Sequence, residues 1–168
     1  VTLEVAASEV LTVGNVLTNN GTVNFANNAS LIQINDVENV GNIVYNRTSP
    51  LTVNPSDYVY WSAPVAGQTL SGGQNYVWNN AAGTTGGWAT ATTMNAGQGV
   101  IIKGVGSKTF TGVPFNGDVT VDVFRRDNLA EQTDLLSDNW NLIGNPYPSA
   151  INAIEFLTDV DNTNIEGE

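Results

Sequence analysis

The chain has 168 residues, of which 41% are apolar and 12% are charged, and its 5 basic and 16 acidic side chains give a net charge of −11. This length and composition predict a folded chain with a buried core. The sequence has no cysteine and no histidine, which excludes Ser-His-Asp and Cys-His catalysis, zinc sites built from these residues, and ordinary haem or iron-sulfur ligation. The acidic charge argues against nucleic acid as a partner. No apolar run approaches the ~20 residues that span a bilayer, so no membrane insertion is expected.

The first 46 residues predict short strands separated by turns rich in asparagine and glycine. Apolar and polar residues alternate over 2–5, 10–13, 21–25 and 30–34, as they do in half-buried strands. One strand follows the next after roughly eight to ten residues, which fits the rungs of a β-solenoid. A β-meander is the alternative. We predict solenoid-like rungs over 1–46.

From Arg47 onward, longer turns rich in proline, glycine and aromatic residues indicate a second part, 47–168. The apolar run within 99–104 predicts a strand that is covered on both faces, and the alternation over 119–123 predicts a strand with one solvated face. Together these patterns predict an antiparallel β-sandwich.

One short helix is predicted near the C-terminus. Pro148 and Ser149 provide a start signal, and Ile151, Ile154 and Leu157 follow as one apolar stripe. We expect this stripe to dock on a sheet. The predicted fold class is therefore all-β, with solenoid-like rungs followed by a sandwich and this one helix.

The tryptophans suggest a site for sugars. Trp78 and Trp88 lie in turn-rich stretches, and the amides of Asn79 and Asn80 lie beside the first of them. Aromatic rings next to amides can stack on glycans, so these four residues are the candidate glycan-binding residues. Trp61 and Trp140 lie in strand-like contexts and are predicted to belong to the core.

Asp159 and Asp161 are the candidate metal ligands. Residues 159–164 resemble the start of an EF-hand loop, in which oxygens at alternate positions bind calcium. Asn164 stands in place of the turn glycine, and the twelfth-position glutamate is missing. An acidic loop after the helix is the alternative, and we expect no cofactor other than calcium.

A glycosidase would need two carboxylates that flank a sugar cleft. Asp118 and Asp122 lie in or near turns or on a solvated face, which is typical of solvated surface charge. We therefore predict that the chain is not an enzyme. The glycines of 99–104 have the spacing of a phosphate-binding loop, but Val105 stands where that loop needs lysine.

Four stretches carry a resemblance to a known group of proteins: 58–65, 95–99, 110–118 and 140–149. Through them the chain resembles a repeated module of very large secreted, adhesin-like cell-surface proteins of the Bacteroidetes, which leave the cell by the type IX secretion system. The likeness covers most of the chain and supplies no catalytic residues. It implies a place at the cell surface, and a module that continues beyond Gly167 and is truncated at its C-terminal end.

The predicted function is thus a non-catalytic extracellular structural or adhesive module of a large bacterial surface protein. The alternative is a carbohydrate-binding module that uses loop aromatics. The expected partners are flanking domains of the same long chain or neighbouring subunits, together with surface glycans in the alternative.

Overall fold

A computed structural model of the chain describes residues 1–50, 53–82, 86–124, 139–162 and 165. Over these residues the protein is mostly β, as predicted, with several sheets and one short α-helix. The strands are β1 (Thr2–Val5), β2 (Val10–Val13), β3 (Thr22–Phe25), β4 (Ser30–Gln33), β5 (Ile43–Thr48), β6 (Tyr58–Trp61), β7 (Gln68–Thr69), β8 (Asn75–Asn79), β9 (Gly87–Thr90), β10 (Thr93–Met94), β11 (Val100–Lys103) and β12 (Ser107–Gly112). The helix α1 (Ala153–Thr158) is followed by a 3-10 helix, Val160–Asn162.

The first five strands form two parallel sheets in which paired residues lie 20 positions apart. Thr2 of β1 pairs with Thr22 of β3, and Asn24 of β3 pairs with Val44 of β5. In the second parallel sheet β2 and β4 keep the same separation. The strands predicted before residue 35 are therefore present. Each of the first two 20-residue units contributes one strand to each sheet, and β5 adds a third strand to the first sheet.

The 20-residue period is also visible in the side chains. Val5, Phe25 and Tyr45 occupy equivalent positions and are all buried. The turns between the two strands of a unit also have the same backbone conformation in the first two units, since the equivalent residues Ser8 and Asn28 have φ angles of 66° and 65°. The predicted spacing of eight to ten residues separates the strands within a unit, whereas the pairing follows the longer period.

The later strands build antiparallel sheets. β12 pairs with β5 and extends the first sheet to the order β1-β3-β5-β12. A second four-stranded sheet has the order β6-β11-β8-β9 and is antiparallel throughout, and β7 pairs with β10. The division that we placed after residue 46 falls inside β5.

One apolar cluster connects residues on both sides of that division. Phe25 and Tyr45 of the parallel sheet belong to the same cluster as Val100 and Phe110. Tyr45 also donates a hydrogen bond from its hydroxyl to the carbonyl of Ala29 (3.1 Å), so its polar end is satisfied inside the core.

Trp61 packs against this cluster, as predicted. Its ring centroid lies 6.2 Å from that of Phe110, and its indole nitrogen donates to the carbonyl of Val105 (3.0 Å). Trp140 was also predicted to be core, and that prediction is wrong, because its side chain is 51% exposed. Trp140 belongs to no strand. Among the described residues, the β-bridge closest to it in sequence is the isolated one between Gln98 and Ile143.

The strand predicted over 119–123 is not formed. Burial still alternates there, and Val119 and Val121 are half-buried. They pack on Gly97, where an added Cβ would lie 2.3 Å from a methyl carbon of Val121. The alternation therefore marks a packed face without a paired strand.

The helix begins later than predicted, and two of the three residues of its predicted apolar stripe, Ile151 and Ile154, are exposed. Asn152 is the N-cap, and its side chain accepts from the backbone nitrogens of Ile154 (3.1 Å) and Glu155 (3.3 Å). Pro148, which precedes Ser149, is buried, and its carbonyl accepts from the backbone nitrogen of Leu31 (2.8 Å), so the chain is still attached to β4 at this point. No residue of α1 is buried.

Candidate functional site

Trp78 and Trp88 lie opposite each other on adjacent strands. They are register partners in β8 and β9, and their rings meet edge to face at 5.2 Å between centroids and 78° between planes. Trp88 is 46% exposed. Trp78 is half-buried because Gly86 lies against its indole, where an added Cβ would be 2.6 Å from a ring carbon.

Asn79 and Asn80 do not join this pair. Side chains alternate between the two faces of a strand, so Asn79 lies on the opposite face from Trp78. Its side-chain oxygen accepts from the backbone nitrogen of Ala81 (2.9 Å), which closes the turn after β8. Asn80 donates to the side-chain oxygen of Asn141 (2.9 Å) and to the carbonyl of Trp140. The two amides therefore fix the local backbone.

A cavity of about 350 Å³ lies mainly on the opposite side of β8 and β9, where Val77 and Ala89 line it, and Trp78 also contributes to its lining. Its lining includes Asn79, Asn80, Gln98, Asp122 and Asn141. Asn141 accepts from the backbone nitrogen of Phe124 (2.9 Å) and donates to the carbonyl of Asn139 (2.9 Å). Asn80 and Asn141 thus connect three separate stretches of chain, the turn after β8, Phe124 and 139–141.

Three tyrosines share a face of the sheet with the tryptophan pair. In the sheet register, Tyr60 of β6 is next to Ile101, Ile101 is next to Tyr76 of β8, and Tyr58 is next to Lys103. Since Tyr76 and Trp78 are two residues apart on one strand, they lie on the same face. We define the aromatic face by its five aromatic residues: Tyr58, Tyr60, Tyr76, Trp78 and Trp88.

Ile101 shows how this face is covered. It is only 7% exposed, yet it does not belong to the central apolar cluster, whereas Val100 and Ile102 on the other face do. Its flanking register partners on this face are Tyr60 and Tyr76. The aliphatic surface is thus covered, and aromatic rings form the outer surface.

The charge on this face is low. Lys103 places its ammonium nitrogen 5.9 Å from the ring centroid of Tyr58, and the rings of Tyr58 and Tyr76 lie 6.0 Å apart. The strand residues that share the aromatic face include no aspartate and no glutamate, although the chain has a net charge of −11. Sequence reasoning missed the tyrosines, whose signal is the spacing of two residues in Tyr58/Tyr60 and Tyr76/Trp78.

Asp159 is the C-cap residue of α1, and Asp161 lies in the 3-10 helix that follows. The side chain of Asp159 accepts from the backbone nitrogen of Asp161 (2.9 Å), and Asn162 donates to the carbonyl of Phe156 (2.9 Å). Within the described residues, no three His, Cys, Asp or Glu side chains come together as metal ligands do. Residues 163 and 164 of the predicted loop lie outside the described residues, so calcium binding stays a prediction.

Tyr147 lines a second cavity, of about 250 Å³. Its hydroxyl donates to the carbonyl of Gly117 (2.7 Å). Burial raises the pKa of Tyr147, and the negative charges of Asp118 and Asp36 raise this pKa further. The phenol therefore stays protonated and acts as a structural hydrogen-bond donor.

The described residues define a mainly β protein in which parallel and antiparallel sheets share a core. The chain matches the family model of a domain of unknown function, DUF8693, over residues 1–168, and it belongs to this family. No curated protein and no solved structure matches the chain. Among the described residues, no helix combines the length and the hydropathy that a membrane span requires.

Proposed function

We propose that the chain is a non-catalytic structural or adhesive module of a large secreted bacterial surface protein. The observation that carries this proposal is the parallel pairing of strands at a constant separation of 20 residues. We interpret these units as rungs of a β-solenoid over 1–46, which leads into an antiparallel sandwich over 47–168. Solenoid units stack on their neighbours and serve as extended scaffolds.

The first unit presents an open edge. β1 and β2 are terminal strands of their sheets and pair with described strands on one side only. Leu3 is 43% exposed, whereas the equivalent residues of the next two units, Val23 and Ile43, are buried. An edge that combines free backbone groups with exposed apolar side chains is suited to pairing with another strand. Its partner is a flanking domain or a neighbouring subunit.

Adding one unit tests this interpretation. We would fuse a copy of residues 21–40 in front of residue 1 and include Val1→Gly, because an added Cβ on the equivalent Gly21 would lie 2.3 Å from the carbonyl oxygen of Val1. Covering Leu3 should contribute about 2 kcal/mol and raise the melting temperature by about 4–8 °C in a domain of this size.

The matched control is the same fusion with the order of its 20 added residues permuted. Calorimetry of both proteins gives the comparison. Equal melting temperatures for the two fusions would contradict the stacking of a further rung on the first unit.

The lack of catalysis is supported by the absence of histidine and cysteine from the sequence. The surface location is supported by the resemblance to secreted modules. Antibody labelling of intact cells of the bacterium that carries the gene tests the location, and labelling that requires permeabilised cells would contradict it.

Carbohydrate binding is the second candidate function. It is favoured by Trp88, which is exposed and held edge to face against Trp78. An indole ring fixed in this way offers a rigid apolar surface at little cost in conformational entropy.

A further inference from the structure

We propose that the aromatic face binds an uncharged, β-linked polysaccharide whose flat sugar rings lie across the sheet. This inference rests on the second candidate function. It extends that function from the tryptophan pair to Tyr58, Tyr60 and Tyr76, and it names the class of ligand.

The register places aromatic side chains on three of the four strands. Tyr60 and Tyr76 are separated by β11, so their Cα atoms lie roughly 10 Å apart, twice the spacing of neighbouring strands. Trp88 lies on the strand beyond Tyr76. In β9 the register partner of Tyr76 is Thr90, and Trp88 lies two residues from it, so an extended chain that crosses the strands obliquely meets Tyr60, then Tyr76, and then Trp88.

The chemistry of the face fits a sugar chain. Tyr60 is 67% exposed, so a broad ring surface is open to the C–H faces of pyranose rings. Tyrosine and tryptophan each combine an apolar ring with a polar group. The hydroxyls of the tyrosines and of Thr90, which shares the face, are available to the polar rim of each sugar.

The charge and the shape of the site narrow the class of ligand. A chain with a net charge of −11 repels acidic polysaccharides, and the face itself carries no carboxylate on its strands. Of the five aromatic residues, only Trp78 lines the cavity of about 350 Å³. Tyr60 and Trp88 are exposed, so the aromatic face offers an open surface. An open surface gains affinity from several weak contacts in series, which favours a polymer over a small sugar.

Binding can be measured with defined probes. We would use native gels that contain xylan or hydroxyethyl cellulose, and pull-down on microcrystalline cellulose and chitin. Wild-type protein should bind at least one of these uncharged polymers more tightly than alginate. Tyr60→Ala and Tyr76→Ala should each weaken that binding by at least about fivefold, as expected when an aromatic anchor is truncated.

Two control variants separate stacking from other effects. Tyr60→Phe keeps the ring and should retain most of the affinity. Trp140→Ala removes a comparably exposed tryptophan that belongs to no strand of this sheet, and it should bind as wild type does. Thermal unfolding followed by circular dichroism verifies that each variant is folded.

The possible failures point to different causes. If wild-type protein binds none of the polymers, both this inference and the second candidate function are wrong. If Trp88→Ala loses binding while Tyr60→Ala and Tyr76→Ala keep it, the protein binds carbohydrate but the extended face is wrong. Preferential binding of alginate overturns the assignment to uncharged polymers, and loss of binding in Trp140→Ala places the site elsewhere.

Discussion

Replacing Phe110 by alanine is expected to lower the free energy of unfolding by about 3–5 kcal/mol, the usual cost of truncating a buried aromatic residue. Phe110 is 1% exposed and lies on β12, where it pairs with Tyr45 of β5. Its ring also contacts that of Trp61. A domain of this kind has a total stability of only ~5–15 kcal/mol, so the loss would be a large fraction of it.

Urea unfolding followed by both tryptophan fluorescence and far-ultraviolet circular dichroism measures this effect. Because one apolar cluster connects the parallel and antiparallel sheets, both signals should shift together. Ile154→Ala, at an exposed position of α1, should change stability by less than about 0.5 kcal/mol. Two separate transitions, of which only one responds to Phe110→Ala, would show that the sheets have independent cores.

Gly41→Ala is expected to cost more than about 2 kcal/mol, because it combines backbone strain with a steric clash. Gly41 has a φ of +88°, and an added Cβ would lie 2.0 Å from the carbonyl oxygen of Asn19. That backbone cannot easily move away, since Asn19 donates to the carbonyl of Val40 (2.7 Å) and Val40 donates to the carbonyl of Leu17 (2.9 Å).

Gly14 provides the matched control. It lies in a turn of the first unit, has no atom within 4 Å of an added Cβ, and does not have a positive φ. Gly14→Ala should therefore leave stability within about 0.5 kcal/mol of wild type. If chemical denaturation gives the same stability for Gly41→Ala as for Gly14→Ala, the close approach of Gly41 to the carbonyl of Asn19 does not exist.

The individual strands could be predicted from the sequence because local alternation determines them. The apolar run of β11 was identified as covered on both faces, and Val100, Ile101 and Ile102 are all buried. Strand partners are harder to predict, since pairing depends on contacts between distant residues. Here the signal was a 20-residue period, seen in Gly21 and Gly41 and in the buried series Val5, Phe25 and Tyr45.

The wrong predictions share a physical cause. Alternation of apolar and polar residues indicates which side chains face a packed surface, but it does not require a paired strand. Val119 and Val121 pack on Gly97, and no strand is formed there. The apolar stripe of Ile151, Ile154 and Leu157 has helical spacing, yet the first two residues are exposed and Leu157 is only half-buried. Helical spacing predicts that residues lie on one face of a helix, but that face is buried only where another part of the protein packs on it.

The candidate site was predicted only in part for a similar reason. Trp78 and Trp88 were selected by residue type, and their pairing follows from the register of β8 and β9. Asn79 was chosen because it is adjacent in sequence, but adjacent residues of a strand point to opposite faces. The tyrosines of β6 join the site only through their pairing with β11.

Engineered cysteine pairs test the central claim, the in-register stacking of the 20-residue units, most directly. Thr12 and Ile32 are register partners in β2 and β4, and both are exposed. Their Cα atoms should lie about 4.8 Å apart, within the usual range for a disulfide. The natural sequence has no cysteine, so any cross-link comes from the engineered pair.

The combination of Thr12→Cys and Ile32→Cys should form a disulfide readily on mild oxidation. The combination of Thr12→Cys and Ser30→Cys, offset by two residues to roughly 8 Å, should not. If the offset pair cross-links as readily as the in-register pair, or if the in-register pair stays reduced, the stacked arrangement is contradicted.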